Sequence, residues 1–437
     1  MFKRTIAGLF FILLLTPAAR AARPLGNVVA QETAHRYGLE RAWATRVELD
    51  RARGRVAYVS LQAGLLMVQT DQSTVHVLDA ETRHTLWVGH VGRPGAVTSP
   101  PAANDKFVVS TNGGTLYLFD RPTGKVLWTR NMPSVPSTGP AITNSRIYVP
   151  LVTGMISTFR LPSPNRNESP NEQRFKDNAL NFAGKGIAYQ PPIVTESNVV
   201  WGTDAGNVYA VSTEELRPVY RFKAHDAVLG GVMYRPPYLF AASRDGYVYA
   251  IRDQKGSTRW QFSIGKPIAE TPMATDDGVY VIPETGGLYK LSPDTGEEMW
   301  LSRGVFQFIA ASPTRIYTAD AGGQLLIVDA KSGAQLGTIG TPDSAIKVFN
   351  RYNDRIYLVS RTGLVQCLHE VALKEPAWHG AHAVADSEKT EASGDTEASA
   401  DDKPAADDGP DPFGAEEKMP ADEGDDAMED DAMEDEK

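Results

Sequence analysis

Along much of the chain, hydrophobic and polar positions alternate with a period of two over short segments, and the clearest segment runs from Gly114 to Trp128. The apolar alternation over residues 116–119 predicts a half-buried strand. Asp120 can accept hydrogen bonds from the backbone amides that follow it, and Gly124 can adopt a positive φ, so a tight turn is expected between them. Trp128 then gives the next strand a large apolar anchor. The segment therefore predicts a β-hairpin.

This hairpin recurs eight times in the sequence. The positions equivalent to Gly114 are separated by 37 to 52 residues and are Ser73, Gly114, Gly154, Gly206, Gly246, Gly286, Gly323 and Gly363. Each copy is preceded by another apolar strand, and several copies by a short segment rich in proline and small residues. Four strands in about 40 residues is the size of one propeller blade.

The last repeat lacks its outermost strand and its tryptophan, whereas an early segment around Trp43 resembles that missing piece. Placing this segment on the last blade would remove the open sheet edges. The sequence therefore predicts an all-β fold, an eight-bladed β-propeller of four-stranded blades whose ring is closed by an N-terminal strand.

The third repeat departs most from the pattern. It loses the turn at Arg160-Leu161 and carries an insertion, residues 162–186, that is rich in proline, asparagine and charge. A long irregular loop in a compact domain is usually either functional or disordered. The sequence leaves both interpretations open, with the insertion as one candidate contact surface.

The two ends of the chain differ from the repeats. Residues 1–21 resemble a signal peptide, with Lys3 and Arg4 before an apolar run that is too short to span a bilayer. Residues 22–38 predict an N-terminal segment with a short helix, and the propeller is expected over residues 39–374. We expect an exported, soluble protein of the periplasm or cell envelope, with no transmembrane helix in the mature chain and no cysteine near the cleavage site to accept a lipid.

The C-terminal region, residues 375–437, predicts an acidic, low-complexity, disordered tail. Residues 381–437 contain 22 Asp and Glu against four Lys, a net charge of −18, while the whole chain carries −10. Residues 1–380 are therefore mildly basic. The tail has too few large apolar groups to offset the entropy of ordering.

The pattern Gly-x-Leu-Tyr-x-Leu-Asp-x-x-Thr-Gly-x-x-x-Trp, approached by residues 114–128 and 286–300, resembles the PQQ-like β-propeller repeat family. This family includes quinoprotein dehydrogenases and BamB-type outer-membrane-assembly propellers. The resemblance covers about residues 39–370 and supports the fold, since its motif residues are turn formers and packing tryptophans. It implies either a binding platform or, as the alternative, a dehydrogenase that binds PQQ with Ca²⁺ or another small-ligand propeller.

Few residues offer chemistry of their own. The resembling enzymes use adjacent cysteines, but Cys367 is the only cysteine and lies in an apolar strand pattern, so we expect a core residue. His76 occupies the position of Tyr117 and is expected to pack, while His379 and His382 form a His-x-x-His pair without further metal ligands. No residue is assigned a catalytic, cofactor-binding or metal-binding role, and no basic, aromatic-interleaved patch predicts nucleic-acid binding.

These observations favour a non-enzymatic, exported propeller that mediates protein–protein interactions in the cell envelope, with no cofactor. Its partners are expected to be envelope proteins. The nearest functional analogy is BamB-like assistance in outer-membrane protein assembly, and the PQQ-binding dehydrogenase stays open as the alternative.

Overall fold

A computed structural model describes residues 27–50, 54–162, 180–341 and 344–380. In these residues the chain forms one short helix, α1 (Gln31–Arg36), and 32 strands that we number β1 to β32 in chain order. The strands are arranged in eight four-stranded antiparallel sheets, each with its strands in sequential order except the last. The predicted eight-bladed propeller is confirmed. The expected signal peptide lies outside the described residues.

Each of the first four blades contains four strands that are consecutive in the chain and adjacent in the sheet. Blade 1 is β2 (Val56–Gln62), β3 (Leu65–Thr70), β4 (Thr74–Asp79) and β5 (Thr85–His90); blade 2 is β6 (Thr98–Ala103), β7 (Phe107–Asn112), β8 (Thr115–Asp120) and β9 (Val126–Asn131); blade 3 is β10 (Ala141–Ile142), β11 (Arg146–Pro150), β12 (Met155–Arg160) and β13 (Asn181–Ala183); blade 4 is β14 (Ile193–Val194), β15 (Asn198–Gly202), β16 (Asn207–Ser212) and β17 (Pro218–Lys223).

The last four blades follow the same plan, but blade 8 takes its fourth strand from the N-terminus. Blade 5 is β18 (Val232–Arg235), β19 (Tyr238–Ala242), β20 (Tyr247–Arg252) and β21 (Thr258–Ser263); blade 6 is β22 (Met273–Ala274), β23 (Val279–Val281), β24 (Leu288–Leu291) and β25 (Glu298–Ser302); blade 7 is β26 (Gln307–Ala311), β27 (Arg315–Ala319), β28 (Leu325–Asp329) and β29 (Gln335–Ile339); blade 8 is β30 (Ile346–Lys347), β31 (Ile356–Val359), β32 (Leu364–Glu370) and β1 (Leu39–Arg46).

The hairpin predicted from residues 114–128 is present as β8, a turn and β9. Gly124 has φ of +69°, and its amide donates to the carbonyl of Asp120 over 2.9 Å. The Asp120 carboxylate also accepts from the Thr123 amide. The turn therefore forms through the chemistry that the sequence predicts.

The apolar core lies between blades. In β8, Leu116 and Leu118 pack with residues of blade 3, whereas Phe119 packs with residues of blade 1. Because side chains on a strand point alternately to the two faces of its sheet, every blade buries both faces against its neighbours. Equivalent clusters join the described blades around the ring, and the last one joins blade 8 to blade 1.

Two boundaries differ from the sequence prediction. Residues 181–183 lie within the predicted 162–186 insertion, yet they form β13 and pair with β12. Residues 375–380, assigned to the tail, contact blade 8 through backbone hydrogen bonds and an isolated bridge between Asn353 and Trp378. Neither segment carries a repeat motif, so the contacts that fix it are not visible in the sequence. The rest of the predicted tail, residues 381–437, lies outside the described residues.

Candidate functional site

The two ends of the ring are chemically different. The connections between blades lie beside the turns between second and third strands, as shown by hydrogen bonds from the Gly113 amide to Val97 O (2.7 Å) and from the Val152 amide to Val135 O (3.1 Å). We call this end the loop face. The opposite end, which we call the turn face, carries the turns between first and second strands and between third and fourth strands, including the Asp120 turn.

The first strands of successive blades contact one another from blade 1 to blade 6. A Cβ placed on Gly139 would lie 2.7 Å from Pro100 O, and one on Gly230 would lie 2.3 Å from the Glu270 carbonyl group. Side chains larger than glycine are therefore excluded at these contacts. The close backbone approach makes the inner ring a rigid support for the loops that surround it.

Five large apolar residues are exposed on the loop face. Their exposed fractions range from 36% to 66%, and they belong to blade connections or second-to-third-strand turns: Val97, Val135, Val152, Tyr189 and Phe306. We call this set the apolar rim. Four of the five lie on the connected blades 2 to 4. Exposed apolar side chains set in rigid loops suit the burial of apolar groups from a protein partner.

Glu270, in the connection between blades 5 and 6, is an ionisable group of the loop face with a shifted pKa. It lies three residues before the first strand of blade 6, and its side chain is exposed to solvent. The surrounding protein atoms nevertheless desolvate the carboxyl and raise its pKa. Sequence reasoning missed both Glu270 and the apolar rim, because exposure in the inter-blade connections depends on how the blades pack.

The motif tryptophans hold neighbouring blades together. Trp87 of blade 1 donates from its indole nitrogen to Arg121 O of blade 2 over 2.6 Å, and a Cβ on Gly124 would lie 2.4 Å from the Trp87 ring. The same indole-to-carbonyl bond joins three further pairs of blades: Trp43 to Ala80 (3.2 Å), Trp260 to Pro293 (2.9 Å) and Trp300 to Ala330 (3.2 Å). These residues are structural, which agrees with their interpretation as packing positions.

The part of the blade 3 insertion before β13 joins the third strand to the fourth, so its described flanks, Leu161 and Leu180, lie on the turn face. Residues 184–186, at the end of the insertion, follow β13 and lie on the loop face. Residues 163–179 lie outside the described residues. The insertion therefore stays a separate candidate contact surface.

The cysteine and histidines singled out in the sequence occupy packed positions. Cys367 is buried, and burial raises the pKa of its thiol. His76 is buried as well, and burial lowers its pKa. The Nε2 atom of His379 lies 3.0 Å from Ala311 O, while His382 lies outside the described residues. In the part of the chain that the structure describes, no three His, Cys, Asp or Glu side chains are grouped as metal ligands.

The described ring lacks the adjacent cysteines that the resemblance associates with a PQQ–Ca²⁺ group. The resemblance would require adjacent cysteines, but the single thiol, Cys367, is buried between blades 8 and 1. We therefore derive no step through this cofactor.

Among the described residues no helix has the length and apolar character needed to cross a bilayer.

A family model described as outer membrane protein assembly factor BamB matches residues 39–162 and 198–347. BamB from Moraxella catarrhalis is similar in structure, with a TM-score of 0.62 and 18% identity over 77% of this chain and 99% of that chain. The computationally designed protein Ika8 is also similar, with a TM-score of 0.56 and 14% identity over 72% of this chain and 96% of the designed chain. No curated protein matches the sequence.

Proposed function

Because this chain belongs to the PQQ-like propeller family whose model is described as outer membrane protein assembly factor BamB, we propose that it is a non-enzymatic platform that binds envelope proteins through its loop face. The observation that carries the proposal is the apolar rim, Val97, Val135, Val152, Tyr189 and Phe306, held by a close-packed inner ring. A partner would bury these side chains and gain about 25 cal/mol for each Å² of apolar surface removed from water.

The rim supports protein binding better than small-molecule chemistry. The rim side chains project from four separate blade connections and one second-to-third-strand turn, whereas binding sites for small ligands are concave and bury most of the ligand. In our proposal the protein is exported and assists the assembly of outer-membrane proteins, as the name of the similar family suggests.

The proposal is tested by affinity capture from envelope extract with matched variants. A rim variant carries Val97→Ser, Tyr189→Ser and Phe306→Ser, and a perimeter variant carries Val88→Ser, Met299→Ser and Leu336→Ser on the outermost strands. The two sets have similar exposure, since the rim residues are 39–66% exposed and the perimeter residues are 49–54% exposed. We expect a partner retained by the wild type and the perimeter variant and lost from the rim variant. Equal capture by both variants would remove the loop face from the proposal.

Two further measurements test the non-enzymatic role and the export of the protein. Addition of PQQ and Ca²⁺ should give neither stoichiometric quinone absorbance nor dye-linked alcohol oxidation, and turnover would favour the dehydrogenase alternative. Fusion of residues 1–30 to a phosphatase that is active only outside the cytoplasm should yield activity if the chain is exported. An inactive but stable fusion would contradict export.

A further inference from the structure

The ring is closed in blade 8, where both ends of the propeller sequence meet. Strand β1 pairs with β32 from Leu39 opposite Glu370 to Arg46 opposite Leu364. The C-terminal residues of the described chain then continue across the turn face of this blade. We call residues 371–380 the C-terminal strap.

Blade 8 contacts the Asp79–Arg83 turn of blade 1 through three side chains. Trp43 donates from Nε1 to Ala80 O, and the Tyr357 hydroxyl donates to the same carbonyl over 3.3 Å. Arg355 is the third side chain, with its Nε atom 3.1 Å from Glu81 Oε2. We call this contact between blades 8 and 1 the seam. This ion pair joins the last blade to the first.

The Arg355 guanidinium is shared between the seam and the strap. Its side chain is 3% exposed and its Nη1 atom donates to Leu373 O over 3.0 Å, while Nη2 donates to Lys374 O. Asp354, whose side chain is fully buried, lies 3.3 Å from Nη1. The strap thus supplies backbone acceptors to the far side of the same fork that holds Glu81.

The strap is fixed along its length. The Ala377 amide donates to Asp354 Oδ1 over 2.8 Å, and Trp378 forms a backbone bridge with Asn353. The His379 amide donates to Tyr352 O over 2.8 Å, and its ring lies against Ala311 O of blade 7. These contacts cover the long connection between β30 and β31, residues 348–355.

We propose that the C-terminal strap locks the ring at the seam between blades 8 and 1, by holding Arg355 in the orientation that grips Glu81. Without the strap, two guanidinium N–H groups lose their carbonyl acceptors and Asp354 loses the Ala377 amide. Water then enters around Arg355 and Asp354. The Arg355–Glu81 pair, whose Glu81 side chain is already 41% exposed, loses the buried surroundings of its guanidinium and contributes less to stability. A segment outside the repeats therefore controls the closure of the repeats.

Two truncations of the otherwise intact chain test the lock. A chain ending at Gly380 keeps the strap and serves as the matched control for a chain ending at Glu370. We expect the control to retain the wild-type melting temperature. The shorter chain should melt at least 5 °C lower and exchange amide hydrogens of residues 79–83 and 348–359 at least tenfold faster, with blades 3 to 5 unchanged. Equal melting and exchange in the two chains would overturn the proposal.

The coupling between strap and seam is tested by Glu81→Gln in both truncations. Because the strap acts through Arg355, the substitution should lower the melting temperature of the chain ending at Gly380 and have little further effect in the chain ending at Glu370. Equal effects would show that the strap stabilises the ring independently of the ion pair, against the proposal.

If the chain ending at Glu370 fails to fold, Ala377→Pro in the full chain removes the amide that binds Asp354, and exposed Glu375→Ala is its control. Faster exchange at residues 79–83 in the first variant alone is expected. Unchanged exchange there would contradict the lock.

Discussion

The blade-joining tryptophans allow a quantitative test of what holds the ring together. Trp260 is 9% exposed, its ring packs against Phe240 with centroids 5.8 Å apart, and its indole nitrogen donates to Pro293 O. Trp128 occupies the equivalent position in blade 2, but it is only partly buried. No indole hydrogen bond of Trp128 occurs within the described residues, where Arg130 lies over its ring. The substitutions Trp260→Ala and Trp128→Ala therefore compare a tryptophan that makes the hydrogen bond between blades with one that does not make it within the described residues.

Truncation of a buried tryptophan to alanine costs about 3–5 kcal/mol, since a cavity is left and contacts are lost. For Trp260 this figure includes the orphaned Pro293 carbonyl. A domain of about 350 residues has an unfolding entropy of about 0.7 kcal/mol/K, so a loss of about 4 kcal/mol lowers the melting temperature by about 6 °C. Trp128 buries less surface and makes no indole hydrogen bond within the described residues, so we expect a decrease of about 2 °C.

Differential scanning calorimetry of the two variants and the wild type, in one buffer, makes the comparison. Trp260→Phe is the informative control because it keeps the aromatic packing and removes only the indole donor, so its melting temperature should lie between those of the wild type and Trp260→Ala. If Trp128→Ala were as destabilising as Trp260→Ala, the turn contact would not be the source of the joint's stability and the reasoning would be refuted.

Three further predictions concern buried or crowded ionisable groups. Burial lowers the pKa of Lys290, so the charged form of this side chain destabilises the folded state below that pKa. Lys290→Met should therefore keep or raise the melting temperature at pH 7, and its advantage over the wild type should shrink above pH 10.5. A clear decrease in melting temperature at pH 7 would contradict this. Desolvation raises the pKa of Glu270, so the contribution of its protonated carboxyl to stability is present at low pH and is lost as the pH rises through the folded-state pKa. Glu270→Gln should therefore melt at a higher temperature than the wild type at pH 8 and at the same temperature at pH 4. A difference in melting temperature that does not change with pH would refute the raised pKa. Burial raises the pKa of the Cys367 thiol, so a thiol reagent should modify it only after denaturation, and rapid labelling of the native protein would be inconsistent with its position.

The blade plan could be predicted because it rests on local chemistry. Alternating apolar positions fix each strand, and the Asp120–Gly124 type of turn fixes its hairpin, so the eight copies are visible in the sequence. The closure by β1 was predictable for a related reason, since the segment at Trp43 matches the strand that the last repeat lacks. Trp43 indeed makes the blade-joining bond, to Ala80.

Other features depend on packing that no repeat encodes. Strand β13 has three residues and no turn signal, because it follows the insertion rather than a short hairpin turn. The apolar rim consists of ordinary connection residues, and their exposure is decided by neighbouring blades. Arg355 and Glu81 are 274 positions apart and meet only because the ring closes. The candidate site and the strap therefore required the three-dimensional structure.

Site-specific photocrosslinking in the native cell envelope identifies the face of the propeller that contacts its partner. A photoreactive residue is placed in turn at Tyr189 and Phe306 on the loop face, and at Met299 and Leu336 on the outermost strands as controls of comparable exposure. We expect one envelope protein to be crosslinked from both loop-face positions and from neither control position. Crosslinking of a partner only from the perimeter, or equally from all four positions, would contradict the assignment of the loop face as the binding surface.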